Sequence, residues 1–554
     1  MALILYPFRY LWWLLTNLRR SIGKPPEYAI FLLENPLPAL PDPPKPFWQR
    51  FFSQSRLSLK ELGDQFDLVA RDPRVKGVVL HIRPVGMPMA TLQDLRELVA
   101  RLRASGKRVV AWAPFYTTAT YYLACACDEI IVMPSGNVQP LGFATTGTFL
   151  ADGLDRIGIE ADFIQISPYK SAADPLTKSK MSPELREQLT WLLESNHKDL
   201  VAGIVDSRSV DAATAQELID GSPYPDDAAL SKHVVDAVLS EEQLPDHLKA
   251  RVGTWEQVLR KLRKKRPTTG RGSYVALLRI EGTIVDGRSG GLPVDPPINV
   301  PLLGDDRAGD LTVVPVARQV ANDKRAAAAV LYIDSRGGSS TASEAMRQAL
   351  NLISARKPLV VAMGPFAGSG GYWIATPAKW IVARPGTLTG SIGVLTGKLV
   401  TSGLWSKVRV NRETIAFGKH VTMGGDDQPY TKEERQIVQR EIDRIYDMFL
   451  DVVCESRNLT REVLEPIAAG RVWTGRQGLE RKLVDELGGI DAAVRKARSL
   501  AGLSDSVAVR EVRTPKRPIP PRAMPAAVDF FGYVLEGFTL LSRAPALAVM
   551  EYPF

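Results

Sequence analysis

A serine between glycines, Ser369 in the run 368–371, is the residue of this chain best suited to nucleophilic chemistry. It follows the apolar run 359–363, which predicts a buried strand, and precedes a short helical pattern limited by Pro377. Glycines let the backbone turn sharply and leave the hydroxyl uncrowded, and a helix start offers unpaired N–H groups and a positive dipole end. A plain glycine-rich turn capped by serine has the same local pattern, so the rest of the chain must decide.

A serine hydroxyl is a weak nucleophile and needs a base. None of the five histidines has a triad-like setting near Ser369 in the sequence. A lysine can serve if burial lowers the pKa of its amine until it is neutral near pH 7. Two lysines are candidates: Lys170, after the apolar run 163–166, and Lys419, at the equivalent place later in the chain. For either lysine, a solvated surface role is the ordinary alternative.

A second feature that suits acyl transfer is the double glycine Gly337–Gly338, directly after an apolar run. Adjacent glycines expose backbone N–H groups, which could hold the oxyanion of a tetrahedral intermediate.

The body of the chain is a duplication. The run 76–82 matches 327–333 and the run 109–115 matches 360–366, which puts the copies 251 positions apart, while 182–184 and 431–433 match at 249. Repetition at a near-constant offset indicates two structural copies. In each copy, apolar runs alternate with helical patterns, such as 91–102 and 342–353. This alternation predicts two α/β domains with parallel β-sheets.

The copies differ at the positions suited to chemistry. Ser369 aligns with Thr118 in a segment without glycines, and Gly338 aligns with Met87. The second copy is therefore predicted to be active at this position and the first to be degenerate.

Composition indicates a folded protein of at least two domains, because the chain has 554 residues, 45% of them hydrophobic and 24% charged. The three cysteines, Cys125, Cys127 and Cys454, cannot form a disulfide framework and are interpreted as small core residues. The net charge of +9 is spread among acidic residues without a basic, aromatic-rich stripe, so no nucleic-acid partner is expected.

The first residues, 2–18, are apolar and aromatic but contain Pro7 and Arg9, and a basic flank follows. This pattern predicts a helix lying in, or barely crossing, a membrane interface, with docking on the protein itself or in an oligomer contact as the alternative. The proline-rich segment 25–46 is predicted to be a linker that contains an edge strand at 28–33. The apolar tail 526–541 is predicted to contact a neighbouring subunit or the membrane surface.

Four motifs taken together, at 169–172, 368–373, 388–393 and 472–475, resemble the long, duplicated form of signal peptide peptidase SppA (protease IV). The resemblance implies tandem Clp-protease/crotonase-like domains and a Ser-Lys dyad shared between the copies. Ser369 would be the nucleophile and Lys170 the general base, with Ser391 orienting the lysine. The oxyanion hole would comprise Gly337, Gly338 and Gly370. Two positions depart from the usual motif: Arg336 stands where proline is common, and Gly368 where alanine is common. Lys419 stays an alternative base, since short members carry serine and lysine in one domain.

The resulting hypothesis is a membrane-associated serine endopeptidase that cleaves apolar peptides such as signal-peptide remnants. The resemblance implies a homotetramer at the bacterial inner membrane, held peripherally or by one N-terminal anchor. No metal or nucleotide cofactor is expected, because no such ligand spacing occurs. Two other functions remain open: a crotonase-like acyl-CoA enzyme and an inactive peptide-binding scaffold.

The expected organisation is a membrane-interface segment at 1–24, a first copy at 25–258, a linker at 259–273, a second copy at 274–503, and a linker with an apolar tail at 504–554.

Overall fold

The computed structural model describes residues 6–42, 56–264, 272–290, 306–513 and 547–549. The predicted apolar tail 526–541 and residues 265–271 of the predicted linker 259–273 lie outside these ranges. Two compact units divide the chain: residues 1–144 with 193–272 form the first unit, and residues 145–192 with 273–554 form the second. The second unit therefore includes a stretch that belongs to the first sequence copy.

The helices and strands follow in chain order. Up to residue 139 they are α1 (Tyr6–Ile22), β1 (Tyr28–Leu33), α2 (Leu59–Arg71), β2 (Gly77–Ile82), α3 (Met89–Ala104), β3 (Arg108–Thr117), α4 (Thr118–Ala124) and β4 (Glu129–Gln139). Then come α5 (Ala151–Ile157), β5 (Glu160–Gln165), α6 (Asp174–Thr177), α7 (Pro183–Arg208), α8 (Ala212–Asp220), β6 (Tyr224–Pro225), α9 (Asp226–Ser231), β7 (Ala237–Val238), α10 (Leu244–Leu248), β8 (Val252–Thr254) and α11 (Trp255–Leu259).

The remaining elements are β9 (Tyr274–Glu281), β10 (Thr283–Val285), β11 (Arg307–Gly309), α12 (Asp310–Asn322), β12 (Ala326–Ser335), β13 (Gly337–Ser339), α13 (Ser340–Ser354), β14 (Leu359–Gly368), α14 (Gly370–Trp373), β15 (Trp380–Ala383), β16 (Leu388–Gly390), β17 (Leu395–Val400), α15 (Ser402–Lys407), α16 (Lys432–Arg457), α17 (Arg461–Leu464), β18 (Val472–Thr474), α18 (Gly475–Glu480), β19 (Glu486–Leu487), α19 (Ile490–Leu500), β20 (Ala508–Glu511) and β21 (Leu547–Val549).

In the described part of the first unit, seven strands form a sheet in the order β6-β4-β3-β2-β1-β8, with β7 beside β4. Strands β1 to β4 are mutually parallel, as the strand–helix alternation predicts. The prediction that β1 is an edge strand was wrong. Strand β8 pairs with its first half, because Tyr28, Ala29 and Ile30 face Val252, Gly253 and Thr254 in parallel register.

The described residues of the second unit form two sheets. The larger has eight strands, in the order β18-β16-β14-β12-β9-β20, with β15 and β19 attached beside β14. Its central strands are parallel, and their apolar residues form a core with α12, α13 and α16. The short helix pattern after Ser369 is only the four-residue α14, so its dipole is weaker than the sequence pattern predicts.

The smaller sheet of the second unit follows the order β11-β10-β13-β21-β17-β5. Strand β13 carries the double glycine, and β21 lies antiparallel to it, with Gly338 opposite Ala548. Strand β5 comes from the first sequence copy and pairs antiparallel with β17 of the second copy over six residues. This sheet therefore joins parts of both copies within one unit.

An equivalent arginine–aspartate ion pair occurs in each of the two units. In the first, Arg208 binds Asp236, which also accepts the N–H of Ile130 at 2.7 Å. In the second, Arg457 binds Asp485, which accepts the N–H of Ile381 at 2.7 Å. Because the paired residues lie at the repeat offset, the duplication seen in the sequence extends to tertiary contacts.

Helix α1 turns polar side chains to the first unit and apolar ones outward. Trp13 Nε1 and Asn17 Nδ2 donate to the carbonyl of Lys264, and the Arg20 guanidinium donates to the carbonyl of Leu262. Trp12, on the outer side, is 71% exposed. Among the described residues, no helix combines the length and the apolar character that crossing a bilayer requires.

Candidate active site

Ser369 lies between the end of β14 and the start of α14, with φ 55° and ψ −120°. A serine at positive φ is strained by roughly 1–3 kcal/mol and persists only when its surroundings fix it. Its N–H donates to the carbonyl of Gly390 at 2.8 Å, and its carbonyl accepts the N–H of Trp373 at 2.9 Å. These bonds hold the sharp turn that the Gly-Ser-Gly pattern predicts.

Lys170 follows β5 and is brought directly onto Ser369. Its Nζ lies 2.7 Å from Ser369 Oγ, 2.9 Å from Ser391 Oγ and 3.0 Å from the carbonyl oxygen of Ser391. The Lys170 side chain is buried, with 1% exposure, and both serines are buried with it. Burial lowers the pKa of the Lys170 amine well below its ordinary value, because the charged form loses its hydration.

The segment 470–472 holds both Lys170 and Ser391. A Cβ atom on Gly470 would lie 2.6 Å from the backbone nitrogen of Lys170, so only glycine allows this approach. The Gly470 N–H donates to the carbonyl of Ile392 at 2.8 Å, and the Ser391 N–H donates to the carbonyl of Arg471 at 2.7 Å. One loop thus fixes the lysine backbone and the serine that the lysine contacts.

Helix α7 holds the same loop from the other side. The Gln188 side-chain oxygen, fully buried, accepts the N–H of Val472 at 2.7 Å. Trp191 Nε1 donates to the carbonyl of Val472 at 2.9 Å, and its ring stacks on Trp473 at 4.8 Å. Sequence reasoning missed Gln188. Its position on the same face as Leu185, Leu189 and Leu192 was the available signal, because a polar residue on an apolar face needs a buried partner.

The glycines predicted for an oxyanion hole lie beside the serine. Gly337 and Gly338 have φ values of 109° and 150°, and a Cβ on Gly338 would meet the Ile284 carbonyl oxygen at 2.0 Å. A Cβ on Gly370 would lie 3.3 Å from the Gly338 nitrogen, so the backbones of Gly338 and Gly370 are adjacent. The Gly337 N–H donates to Ser335 Oγ at 3.2 Å, whereas the N–H of Gly370 begins α14 and has no intrahelical acceptor.

The other candidate residues lie apart from this cluster. The Lys419 side chain is 69% exposed and forms an ion pair with Glu433, without a contact to Ser369. Thr118, the counterpart of Ser369, starts α4 in the first unit, and its hydroxyl donates to the carbonyl of Gln139. Cys125 and Cys127 are buried, and burial raises the pKa of the Cys125 thiol. Within the described ranges, no group of His, Cys, Asp or Glu side chains could hold a metal ion.

A buried amine hydrogen-bonded to a serine hydroxyl at a strained strand–helix turn is the arrangement of a serine hydrolase. A model of Peptidase family S49 matches residues 101–254 and residues 351–504, together more than half of the chain. The chain therefore belongs to peptidase family S49, and it is a serine endopeptidase.

Similar proteins cover most of its length. The "Serine protease SPPA, chloroplastic" of Arabidopsis thaliana is 30% identical over 485 residues, covering 84% of this chain and 69% of the relative. The "Protease 4" of Salmonella typhi is 32% identical over 471 residues, covering 81% and 74%. That of Haemophilus influenzae is 28% identical over 460 residues, covering 79% and 72%. These matches confirm the resemblance to the long, duplicated SppA form and the tandem α/β fold class.

The close approach of Gly470 to Lys170 generates the first prediction. A Gly470→Ala change should lower the peptidase kcat about 100-fold or more, because its Cβ must push Lys170 away, and a displacement near 1 Å can cost that much. The measurement is steady-state hydrolysis of a fluorogenic peptide, with circular dichroism to check folding. Gly153→Ala in α5, where a Cβ meets nothing within 4 Å, is the control and should keep full activity. Equal activity of the two variants would contradict the positioning role.

Proposed function

We propose that Ser369 and Lys170 form the catalytic dyad of this endopeptidase, and that its substrates are apolar peptides such as remnants of signal peptides. The observation that carries the proposal is the 2.7 Å contact between Lys170 Nζ and Ser369 Oγ among side chains excluded from water. The substrate class comes from the SppA resemblance, and the chemistry comes from this contact.

The surroundings of the amine suit its uncharged form. A neutral amine has two N–H donors and one lone pair. The two oxygens of Ser391 accept the two N–H groups, which leaves the lone pair for the Ser369 hydroxyl. A charged ammonium in the same place would have no carboxylate among these three contacts and would pay the full cost of burial. The geometry therefore favours an amine that can accept a proton.

The reaction proceeds as a two-step acyl transfer. The Lys170 amine takes the Ser369 proton while Oγ attacks the peptide carbonyl carbon, and the carbonyl oxygen becomes an oxyanion held by the N–H groups of Gly338 and Gly370. The intermediate collapses, and Lys170 gives its proton to the departing amine. Lys170 then takes a proton from a water molecule whose oxygen attacks the acyl carbon. When the ester bond to Oγ breaks, Lys170 gives that proton to Ser369 Oγ and the peptide acid leaves.

The edge of β13 is the proposed binding place for the substrate backbone. The antiparallel pairing of β21 with Gly337–Ser339 supports this, because it demonstrates that an extended segment fits along the double glycine. A peptide substrate would add to the sheet in the same way, with its main chain hydrogen-bonded and its side chains in small pockets. Such binding suits extended peptides of varied sequence.

We further propose that the protein works at the surface of the bacterial inner membrane as a homotetramer. The outward side of α1 supports the membrane part: Phe8, Trp12, Leu15, Leu18 and Ile22 are exposed at helical spacing, with Arg9 and Arg19 nearby. An exposed apolar stripe with cations beside it suits a helix lying in the headgroup region. The polar contacts of α1 with the first unit hold this stripe outward.

The dyad is tested by removing each group at nearly constant volume. Ser369→Ala and Lys170→Met should each reduce kcat by roughly 10⁴-fold, as the loss of one member of a catalytic unit does. Lys419→Met, a surface change, is the matched control and should keep wild-type activity. Loss of activity in Lys419→Met, with activity retained in Lys170→Met, would reverse the assignment of the base.

The pH profile of kcat/KM provides the second measurement on the dyad. Because the folded pKa of Lys170 lies below its ordinary value, the neutral amine forms at lower pH than in an unfolded chain. Activity should therefore rise as pH increases through that lowered pKa and fall as the amine becomes protonated at lower pH. A profile without an acid limb would contradict Lys170 as the base.

Strand β21 and a bound peptide cannot both pair with the same edge of β13. Removing residues 547–554 should therefore lower KM for a short peptide several-fold, because the competing segment is gone. The control variant ends after Val549 and keeps the strand, so its KM should match that of the full chain. Equal KM for all three proteins would indicate that β21 leaves this edge freely.

The membrane proposal is tested by charging the outer face of α1. Trp12→Glu together with Leu15→Glu should reduce sedimentation with vesicles of phosphatidylglycerol and phosphatidylcholine at least tenfold, because each change removes apolar area and adds an anion. Leu230→Glu, at another exposed apolar site of the first unit, is the control. Unchanged vesicle binding of the double variant would exclude α1 as the attachment.

A further inference from the structure

Arg336 is a charged residue at the proposed substrate edge that the two-step acyl transfer does not use. It lies between Ser335, the last residue of β12, and Gly337, the first residue of β13. Proline, which is common at this place in the SppA motif, has neither a charge nor a side-chain donor. This chain therefore carries a cation directly beside the double glycine.

The ring of Phe366 supports the Arg336 side chain. The guanidinium carbon lies 4.0 Å from the ring centroid, and Arg336 is half-buried. The backbone of Phe366 is held in turn, because its N–H donates to Asp334 Oδ1 at 3.2 Å and the residue pairs with Leu388 in the large sheet. Stacking uses the flat face of a guanidinium, whereas the N–H donors that match a carboxylate lie along its edge. The cation is thus oriented without losing the edge that binds anions.

The pairing of β21 shows in which direction an extended chain passes Arg336. Residues 547–549 lie antiparallel to residues 337–339, with Ala548 opposite Gly338. Strand β10 pairs with the other edge of β13, also at Gly338. A chain bound antiparallel along the edge that β21 occupies therefore runs from Ser339 towards Arg336.

This register relates Arg336 to the bond that is cleaved. In the proposed mechanism, the Gly338 N–H holds the oxygen of the cleaved carbonyl, so the residue that supplies this carbonyl lies opposite Gly338. The next residue of the substrate then faces Gly337, and the second residue of the departing peptide faces Arg336. A diagonal neighbour is also within reach of a long side chain, which brings the third residue into range.

We propose that Arg336 is a specificity-determining residue that binds a carboxylate on the second or third residue after the cleaved bond. The carboxylate belongs to an acidic side chain or to the C-terminus of a peptide that ends there, because both present the same pair of oxygens to a guanidinium. The inference rests on the proposed dyad and on the proposed binding of substrate along β13. It adds a charge preference on the departing peptide to the proposed apolar substrate class.

The half-buried position of Arg336 strengthens such a contact. Water competes less for a partly buried charge, and the interaction of two charges is larger there than in bulk solvent. The stacked guanidinium has also lost part of its rotamer freedom before the substrate binds, so less entropy is lost on binding. A carboxylate at this place should therefore alter kcat/KM measurably.

A position scan with the full chain tests the place of the carboxylate. In quenched fluorogenic peptides with one cleavable bond, a single Glu is moved from three residues before the cut to four residues after it, and Gln at the same place is the reference. Mass spectrometry confirms the cleaved bond. The Glu-to-Gln ratio of kcat/KM should reach about tenfold at the second or third residue after the cut, and added salt should reduce it. A Glu preference at any other position would contradict the proposal.

A second pair of peptides distinguishes the two sources of the carboxylate. Peptides that end at the second residue after the cut are compared as the free acid and as the amide. Faster cleavage of the free acid assigns the site to a peptide C-terminus, whereas a preference only for internal Glu assigns it to an acidic side chain. Equal rates within every pair, in the scan and at the C-terminus, would overturn the proposal.

Charge variants separate recognition from a purely structural role of Arg336. Arg336→Gln should bring the ratio for the preferred peptide pair close to one, and Arg336→Glu should reverse it, with Lys cleaved about tenfold faster than Glu at the same place. Arg318→Gln, an exposed change on α12, is the control and should keep the wild-type ratio. A structural role would lower kcat/KM for all peptides alike and leave the ratio unchanged, which would contradict the proposal.

The same peptides separate this inference from the proposed dyad. If wild type cleaves Glu and Gln peptides equally and Ser369→Ala cleaves neither, the role of Arg336 is excluded and the dyad stands. If Ser369→Ala cleaves the peptides as wild type does, the dyad itself is excluded, and with it the register on which the role of Arg336 depends.

Discussion

The exclusion of water from the Lys170 amine is the physical constraint that the site in the second unit must satisfy. Lys170 is buried, and among the described residues its amine has no carboxylate in contact; its hydrogen-bond partners are two serine side chains and one carbonyl oxygen. Burying a charged lysine in this way would cost several kcal/mol, so the folded chain favours the neutral amine. The same dehydration lowers the pKa of the Lys170 amine, as its proposed role of general base requires.

Several surrounding contacts keep the Lys170 amine within hydrogen-bonding distance of the Ser369 hydroxyl. The backbone of Gly470 lies against Lys170, Arg471 holds Ser391, and Gln188 with Trp191 holds Val472. Serine at positive φ and lysine in a dry site are both unfavourable locally. Their combined cost is offset by an apolar core that spans the large sheet and its helices.

The duplication and the strand–helix alternation predicted the tandem α/β fold class, which the family matches and the parallel sheets confirm. The glycine-rich turn singled out Ser369, whereas the SppA resemblance favoured Lys170 over Lys419 and alone named Ser391. The structure brings the Ser369, Lys170 and Ser391 side chains together. Gln188 and Gly470 act through tertiary contacts to residues far along the chain, which local patterns do not encode. The position of β1 inside its sheet likewise depends on β8, more than 200 residues later.

The duplication was readable because its offset is nearly constant, yet the offset does not tell where one compact unit ends. Residues 145–192 belong to the first copy by sequence and to the second unit by structure, because β5 pairs with β17 and α7 holds the loop at Val472. The sequence repeat identifies which segments were duplicated, whereas strand pairing determines which segments pack together. The boundaries of the compact units therefore follow from the structure and not from the repeat.

Because residues 145–192 belong to the second compact unit, they also determine how a smaller enzyme could be derived from this protein. A cut at the joint between the sequence copies would leave the hydroxyl on one polypeptide and the amine on the other. A shortened version would instead need those 48 residues spliced ahead of residue 273, as in a rearranged gene, so that the Lys170 amine and the Ser369 hydroxyl remain on a single piece.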